Sequence, residues 1–310
     1  MTAPPLSENR RAARLRALYP YLLLAGSQLC WAGNWVVGRA VRAEIPPLAL
    51  AFWRWTIAAL VLAPFALPRL RNEGATLRRS WVVLVLIGVS GAGFFQAMIY
   101  IGLRYTEALN STMMYSASPL FIMLIAALMG VERVSARQIA GMAVSFCGIL
   151  VILNRGDFSH LRAFHFNPGD LLILLAMPAW GFYCVLLSRR PRELDGVAVL
   201  FLISTIGALA LAPFYAIESA FVPAPPLDGA TLATLLYVGL VASVAAYILW
   251  NRGLALVGPN RAGFTNHLLP AFTVVLAVGL LGETLRPFHI VGIATILAGV
   301  WLATSARARA

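Results

Sequence analysis

A chain of 310 residues that is 60% hydrophobic and 12% charged, with a mean hydropathy of +0.81, cannot cover a water-soluble surface, so most of its exterior faces lipid. The formal charge of +12 is carried by arginine with no lysine, in short segments between apolar runs. Such segments suit the anionic face of a membrane. They do not form the solvated basic face that nucleic acid requires, so nucleic acid is excluded as a partner.

The chain opens on a basic stretch, Arg10 to Arg16 (RRAARLR), that leads into a long apolar run with no small-residue cleavage site, the pattern of an uncleaved signal anchor. Apolar runs of roughly 20 residues cross a bilayer as helices. Ten follow one another, near 20–40, 47–67, 81–103, 107–129, 136–153, 169–189, 195–217, 231–252, 261–281 and 286–304. This predicts an all-α integral membrane fold of ten transmembrane helices. The gaps are short, and the longest, 154–168, is too short for a soluble domain. Cys30, Cys147 and Cys184 lie in different runs and read as small apolar residues, not as a disulfide or metal cluster. With the N-terminus inside, about 17 of the 24 arginines fall on the inner side, which by the positive-inside rule places both termini in the cytoplasm.

Two stretches nearly repeat each other. Shifting PLFIMLIAALMGVERVSARQIAG (Pro119 to Gly141) by 151 positions pairs Pro119 with Pro270, Phe121 with Phe272, Glu132 with Glu283 and Gly141 with Gly292. At an offset of 149, Ala59–Phe65 (ALVLAPF) pairs with Ala208–Phe214 (ALALAPF), and Trp31 with Trp180. Each half holds five spans, an odd number, so the second copy enters the membrane from the opposite side. The prediction is two inverted five-helix repeats, an architecture typical of secondary transporters. The expected divisions are a cytoplasmic segment 1–19, a first repeat 20–153, an extracytoplasmic loop 154–168, a second repeat 169–304 and a cytoplasmic tail 305–310.

The pattern Pro119…Glu132…Gly141…Gly148, its twin Pro270…Glu283…Gly292…Gly299, and PPLALAFWRW (Pro46–Trp55) resemble paired EamA domains of the drug/metabolite transporter superfamily. In length and layout the chain is similar to the YddG-type amino-acid exporters of that superfamily. The resemblance implies a small-molecule exporter of a bacterial inner membrane, a monomer or homodimer surrounded by lipid. One departure is that position 203, opposite Arg54 in the repeat, is Ile.

Polar and aromatic residues at helical spacing mark the expected cavity. Gln28, Trp31 and Trp35 share a face of the first span, with Asn34 beside them. Gln96 and Tyr100 follow on the third span, Tyr115 on the fourth, Trp180 and Tyr183 on the sixth, Tyr247 on the eighth, and Asn266 and His267 on the ninth. Arg54, ionisable within a span, is a possible anion contact, although it could instead reach the interface or pair with Glu44. Pro119, Pro178 and Pro270 read as hinges or as static kinks. Glu132 and Glu283 read as gates, or as carboxylates at the positive N-terminal ends of the fifth and tenth spans.

The expected substrates are small amphipathic metabolites, above all neutral or aromatic amino acids, carried by alternating access without cofactor or metal. The spans hold almost no carboxylates, which favours a facilitator, while His267 leaves a proton-coupled route open. Drugs or other metabolites remain as alternative substrates. A distant alternative is an intramembrane serine hydrolase, from the GxSG match at Gly88–Gly91 with Ser90 as nucleophile.

Overall fold

Lipid offers the backbone no hydrogen-bond partner, so a chain of this composition folds as helices or as a closed barrel. It takes helices. The structure, a computed structural model, describes residues 6–131, 135–157, 167–191, 193–257 and 265–304, and no strand occurs among them. Glu132, residues 158–166 of the connecting loop and the tail 305–310 lie outside the described residues.

Helix α1 spans Leu6–Ala40, α2 Pro47–Leu70 and α3 Gly74–Ile87; α3 continues through a π-helical segment, Gly88–Phe95, into α4, Gln96–Gly102. Helices α5 (Ala108–Tyr115) and α6 (Ser118–Leu128) form one path bent by 42°. Next come α7 (Ala136–Leu153), α8 (Pro168–Ser188), α9 (Gly196–Phe221) and α10 (Gly229–Leu236). A second π-helical segment, Tyr237–Ala245, joins α10 to α11 (Ala246–Val257). A 3-10 turn, Thr265–His267, then leads into α12 (Leu268–Leu281), and α13 spans Pro287–Thr304.

The helix starts carry ordinary signals. Asn167, Asp195 and Asp228 accept backbone N–H bonds from Gly169, Ala198 and Thr231, and Ser135 forms a capping box with Gln138. The bonds from Thr231, its backbone N–H first, hold the Asp228 carboxyl below its ordinary pKa.

Among the described residues six helical stretches are long and apolar enough to cross a membrane, and the bent α5–α6 pair makes a seventh; Thr265–Leu281 and Pro287–Leu302 are shorter apolar helices. The surface agrees with this. Leu60, Leu128, Leu209 and Leu280 point outward, each at least 67% exposed, while Gln28, Arg54, Asn110 and Asp170 are buried. Large apolar side chains turned outward over buried polar ones are the mark of a multi-pass membrane protein.

Two expected boundaries shift. The third apolar path begins at Gly74, and α1 begins at Leu6, because a helix continues into water past the end of its apolar stretch. The fourth is broken near Ser116, where Pro119, which has no N–H to donate, occupies the first turn of α6.

The repeated glycines mark a close helix crossing. Helix α7 packs along α13. A Cβ added to Gly148 would lie 2.7 Å from the Gly292 carbonyl oxygen and 2.8 Å from the Ile296 nitrogen, and one at Gly299 would lie 2.5 Å from the Gly141 carbonyl oxygen. Backbone therefore meets backbone at both ends of the crossing, the arrangement small residues permit in membranes. Gly148→Ala is expected to cost about 1–3 kcal/mol by overpacking, read as a lowered melting temperature in detergent. Gly279→Ala, which meets open space, should leave the melting temperature within error.

Helices α2 and α9 form the other long pair. They run antiparallel, with Arg69 at the end of α2 bonded to Asp195 before α9 at 2.9 Å. Glu218, near the end of α9, accepts from the Leu48 and Ala49 nitrogens at 3.1 and 2.8 Å.

Candidate functional site

Arg54, in the second turn of α2, is only 2% exposed. Its Nε donates to Ser243 Oγ at 2.7 Å, Nη1 to Asn34 Oδ1 at 2.9 Å and to Tyr100 Oη at 3.2 Å, and Nη2 to the Ala242 carbonyl at 3.2 Å. The guanidinium carbon lies 5.0 Å from the Trp55 ring centroid, within cation–π reach. Every acceptor is neutral. Among the described residues no carboxylate comes within 4.0 Å of Arg54, and Glu44, the partner considered from sequence, is exposed.

The π-helical segment Tyr237–Ala245 builds much of this nest. The Ala242 carbonyl accepts from Trp31 Nε1 at 3.1 Å as well as from Arg54. Ser243 accepts from Arg54 and donates to the Val238 carbonyl five residues back at 2.8 Å. The wide turn releases backbone and hydroxyl oxygens toward the centre, a use to which such turns are often put. Tyr100 Oη donates to Asn34 Oδ1 at 2.6 Å, fixing the amide that faces Arg54.

Beside Arg54 lies a buried cavity lined by Trp31, Asn34, Trp35, Gln96, Tyr115 and Trp180 together with Phe95, Ile99, Tyr247 and Leu269. Its volume is about 30 Å³, room for water and not for a metabolite. Anything the size of an amino acid enters only when helices move. The walls are aromatic. Trp31 and Trp180, paired by the repeat, meet edge to face at 6.4 Å between ring centroids. Trp31 also contacts Tyr247 at 5.3 Å, Trp35 contacts Tyr115 at 5.9 Å, and Trp180 contacts Phe95 at 4.9 Å and stacks on Tyr183 at 5.0 Å.

Some buried polar atoms at this site have no partner among the described residues: Gln96 Nε2, Trp180 Nε1, Gln28 Oε1 and His267 Nδ1. Native interiors leave few such atoms, and each calls for a reason.

The structure thus brings Trp31, Asn34, Trp35, Arg54, Gln96, Tyr115, Trp180 and Tyr247 to one cavity. Tyr100 and Tyr183 support it from behind, and Gln28 donates to Asn266 at 3.0 Å next to it. His267 sits half-buried in the 3-10 turn and is not among the lining residues. Pro178 lies inside an unbroken α8, and Pro270 occupies the first turn of α12. Phe95, Ile99 and Leu269 were not expected. The signal available for them is spacing alone, Phe95 and Ile99 four apart and Leu269 three beyond Asn266.

A second polar cluster ties one end of the bundle together. Glu283 Oε1 and Oε2 accept from the Ala108 and Leu109 nitrogens at 2.9 and 3.0 Å, so this carboxylate caps α5 at the start of the fourth path. The sequence expectation had it facing the tenth span; the Gly282 backbone, with φ of +66°, turns it toward α5 instead. Arg39 Nε stands 4.0 Å from Glu283, and Arg39 Nη1 donates to the Leu103 carbonyl at 2.9 Å. His289, fully buried, accepts at Nδ1 from the Arg286 N–H and meets Asn110 Oδ1 at 2.6 Å through Nε2, which therefore carries the proton. Thr106 donates to Asp170. This end joins α1, α4, α5, α8, α12 and α13.

The family described as EamA-like transporter family matches residues 18–154 and again residues 167–305. Similar proteins include an uncharacterized transporter of Archaeoglobus fulgidus, 29% identical over 92% of this chain and 97% of its own length. A probable terminal-alkyne amino-acid exporter of Streptantibioticus cattleyicolor is 28% identical over 82% of each chain. A probable amino-acid metabolite efflux pump of Salmonella typhimurium is 26% identical over 88% of this chain and 90% of its own. A solved crystal structure shares the fold, with a TM-score of 0.62 at 19% identity over 94% of this chain and 99% of the other.

Proposed function

The chain belongs to the EamA-like transporter family, and on that premise we propose that it exports small amphipathic metabolites, neutral or aromatic amino acids foremost, by alternating access around the Arg54 cavity. The observation that carries this reading is a buried aromatic and polar cavity walled by both family-matched halves. Trp31, Asn34 and Arg54 come from the first, and Trp180, Tyr247 and Leu269 from the second. The ten helical paths act as two inverted halves, with both termini cytoplasmic in a bacterial inner membrane. Support for the inversion comes from the matched π-helical segments, the meeting of Trp31 with Trp180, and the antiparallel pairing of α2 with α9. The printed names of two relatives, an amino-acid exporter and an amino-acid metabolite efflux pump, favour this substrate class.

In this reading the Glu283 end acts as the extracytoplasmic gate. Glu283 and Arg39 latch α12 and α1 to the α4–α5 corner, and opening breaks those bonds. Pro119 and Pro270 stand at the starts of α6 and α12, where the two halves pivot. The hydrolase alternative finds no support in Ser90, whose hydroxyl donates to the Leu86 carbonyl of its own helix at 2.7 Å.

Uptake of labelled neutral, aromatic and charged amino acids into proteoliposomes, with and without a pH gradient, tests the assignment. Saturable uptake of neutral and aromatic amino acids that ignores the gradient is the expected result. Flux of drugs or other metabolites in the absence of any amino-acid flux would overturn it.

A further inference from the structure

We propose that this cavity recognises its substrate by a carboxylate held on Arg54, and that the α-amino group is dispensable. The inference rests on the reading of the cavity as the transport site and narrows the class of molecule it takes.

Among the residues that line the cavity the unpartnered polar atoms are donors, while Gln28 Oε1, next to it, is an unpaired acceptor. Arg54 offers five N–H groups and makes four hydrogen bonds, all to neutral oxygens, with only one from Nη2. Among the described residues, at least one Nη2 hydrogen and the whole positive charge are left without an anionic partner. Two further lining residues, Gln96 and Trp180, hold buried donors, Nε2 and Nε1, that bond to nothing among the described residues. Trp31, the counterpart of Trp180, spends its own N–H on the Ala242 carbonyl. The first half therefore brings the cation and one open donor, Gln96 Nε2, and the second half brings another, Trp180 Nε1. A ligand that completes this site is an acceptor with a negative charge.

Carboxylate fits better than the alternatives. A phosphate carries about −1.5 to −2 at neutral pH and would find Arg54 alone as its counter-charge among the described residues that line the cavity. A quaternary or primary ammonium without an acid group would enter beside an uncompensated guanidinium, and that repulsion outweighs the attraction of the aromatic faces. A planar carboxylate matches guanidinium geometry, with two parallel N–H bonds at best and one at least. The remaining walls, Trp31, Trp35, Phe95, Tyr115 and Trp180, offer aromatic faces to an apolar or aromatic body.

Charge balance then separates two kinds of carboxylate. A zwitterionic amino acid leaves the loaded cavity with the net positive charge it had when empty. The same molecule without its amino group brings the cavity to neutrality. The deaminated acid should therefore bind at least as well as the amino acid.

The test is a binding series on the purified full-length protein in detergent, read by thermal shift and by competition for labelled L-phenylalanine. Four probes share one body: L-phenylalanine, phenylpropanoate, phenethylamine and L-phenylalaninamide. The expected order has phenylpropanoate at least equal to phenylalanine, with the amine and the amide more than about tenfold weaker. Arg54→Gln should erase the difference among the four, and Arg54→Lys should restore part of it, since it keeps the charge without the planar fork. Should Arg54→Gln fail to fold, the wild-type series decides the matter, with Gln96→Leu expected to weaken both acids several-fold and to leave the amine unchanged. Equal binding of amine and acid, or no binding by any of the four, overturns the proposal. Phenylpropanoate binding through Arg54 without any amino-acid binding would uphold the carboxylate site and sink the amino-acid assignment. Amino-acid transport with no preference for the acid group would do the reverse.

Discussion

Glu283→Gln is expected to speed modification of a cysteine placed at Ile99 by a membrane-impermeant maleimide at least about tenfold, in a background where Cys30, Cys147 and Cys184 are alanine. The carboxylate accepts two backbone N–H bonds from the first turn of α5 and stands 4.0 Å from Arg39. An amide offers one oxygen to those two donors and points an N–H at the other, and it no longer attracts Arg39. Hydrogen bonds to a charged group contribute about 1.5–3 kcal/mol each, and every 1.4 kcal/mol is a factor of about ten in an equilibrium. Loss of one such bond therefore shifts the ratio of open to closed gates by about ten to a hundredfold. Ile99 is 1% exposed, lines the cavity and lies one turn from the end of α4, so it reports opening at that end. Glu218→Gln is the matched control. It removes a similar pair of bonds from the start of α2, but inside the long α2–α9 pair, and should lower the melting temperature without changing the labelling rate. Equal effects of the two substitutions would reduce Glu283 to a static cap.

Trp180→Ala is expected to raise the half-saturating concentration for an aromatic amino acid about tenfold or more, while a small neutral amino acid loses less. Trp180 contacts Phe95, Tyr115, Tyr183 and Trp31 within 6.4 Å between centroids, so its removal opens one wall of the cage. Aromatic pairs contribute about 0.5–1.5 kcal/mol each beyond buried area, and an aromatic substrate would forfeit at least one. Trp180→Phe keeps a ring and loses the N–H, and should fall between wild type and alanine. The concentration dependence of uptake, normalised to folded protein, measures this. An unchanged half-saturation for the aromatic substrate would remove Trp180 from the site.

Much of this site is legible in the sequence, for a physical reason. A polar or aromatic side chain in the middle of an apolar helix has nowhere favourable to go except inward, so Gln28, Trp31, Asn34 and Gln96 declare their direction by spacing alone. Arg54 declares itself more strongly, because a charge facing lipid is costly. Apolar lining residues carry no such mark. Phe95, Ile99 and Leu269 would sit as comfortably against lipid or a neighbouring helix, and only packing assigns them to the cavity. The π-helical segments are equally silent, since at the offset of 149 Gly88–Phe95 and its counterpart in Tyr237–Ala245 agree only at Val89 and Val238. The repeated glycines show the opposite case. Their recurrence is visible in the sequence, but their purpose, the α7–α13 crossing, needs the third dimension. The partner of Glu283 is also hidden, because the contact to Ala108 and Leu109 joins residues 175 and 174 positions apart. His289 is passed over because it opens the last apolar run, where a histidine reads as interfacial; its burial against Asn110 is a product of tertiary packing.

Exchange across the membrane tests the central claim, alternating access around the Arg54 cavity, most directly. Proteoliposomes loaded with labelled L-phenylalanine would be diluted into buffer with or without unlabelled L-phenylalanine, and efflux followed in both. A carrier that presents one site to each face in turn should release its load faster when the outer solution holds substrate, and Arg54→Gln should abolish that acceleration. Efflux that is saturable yet indifferent to substrate on the far side, or that proceeds as fast without Arg54, would contradict it.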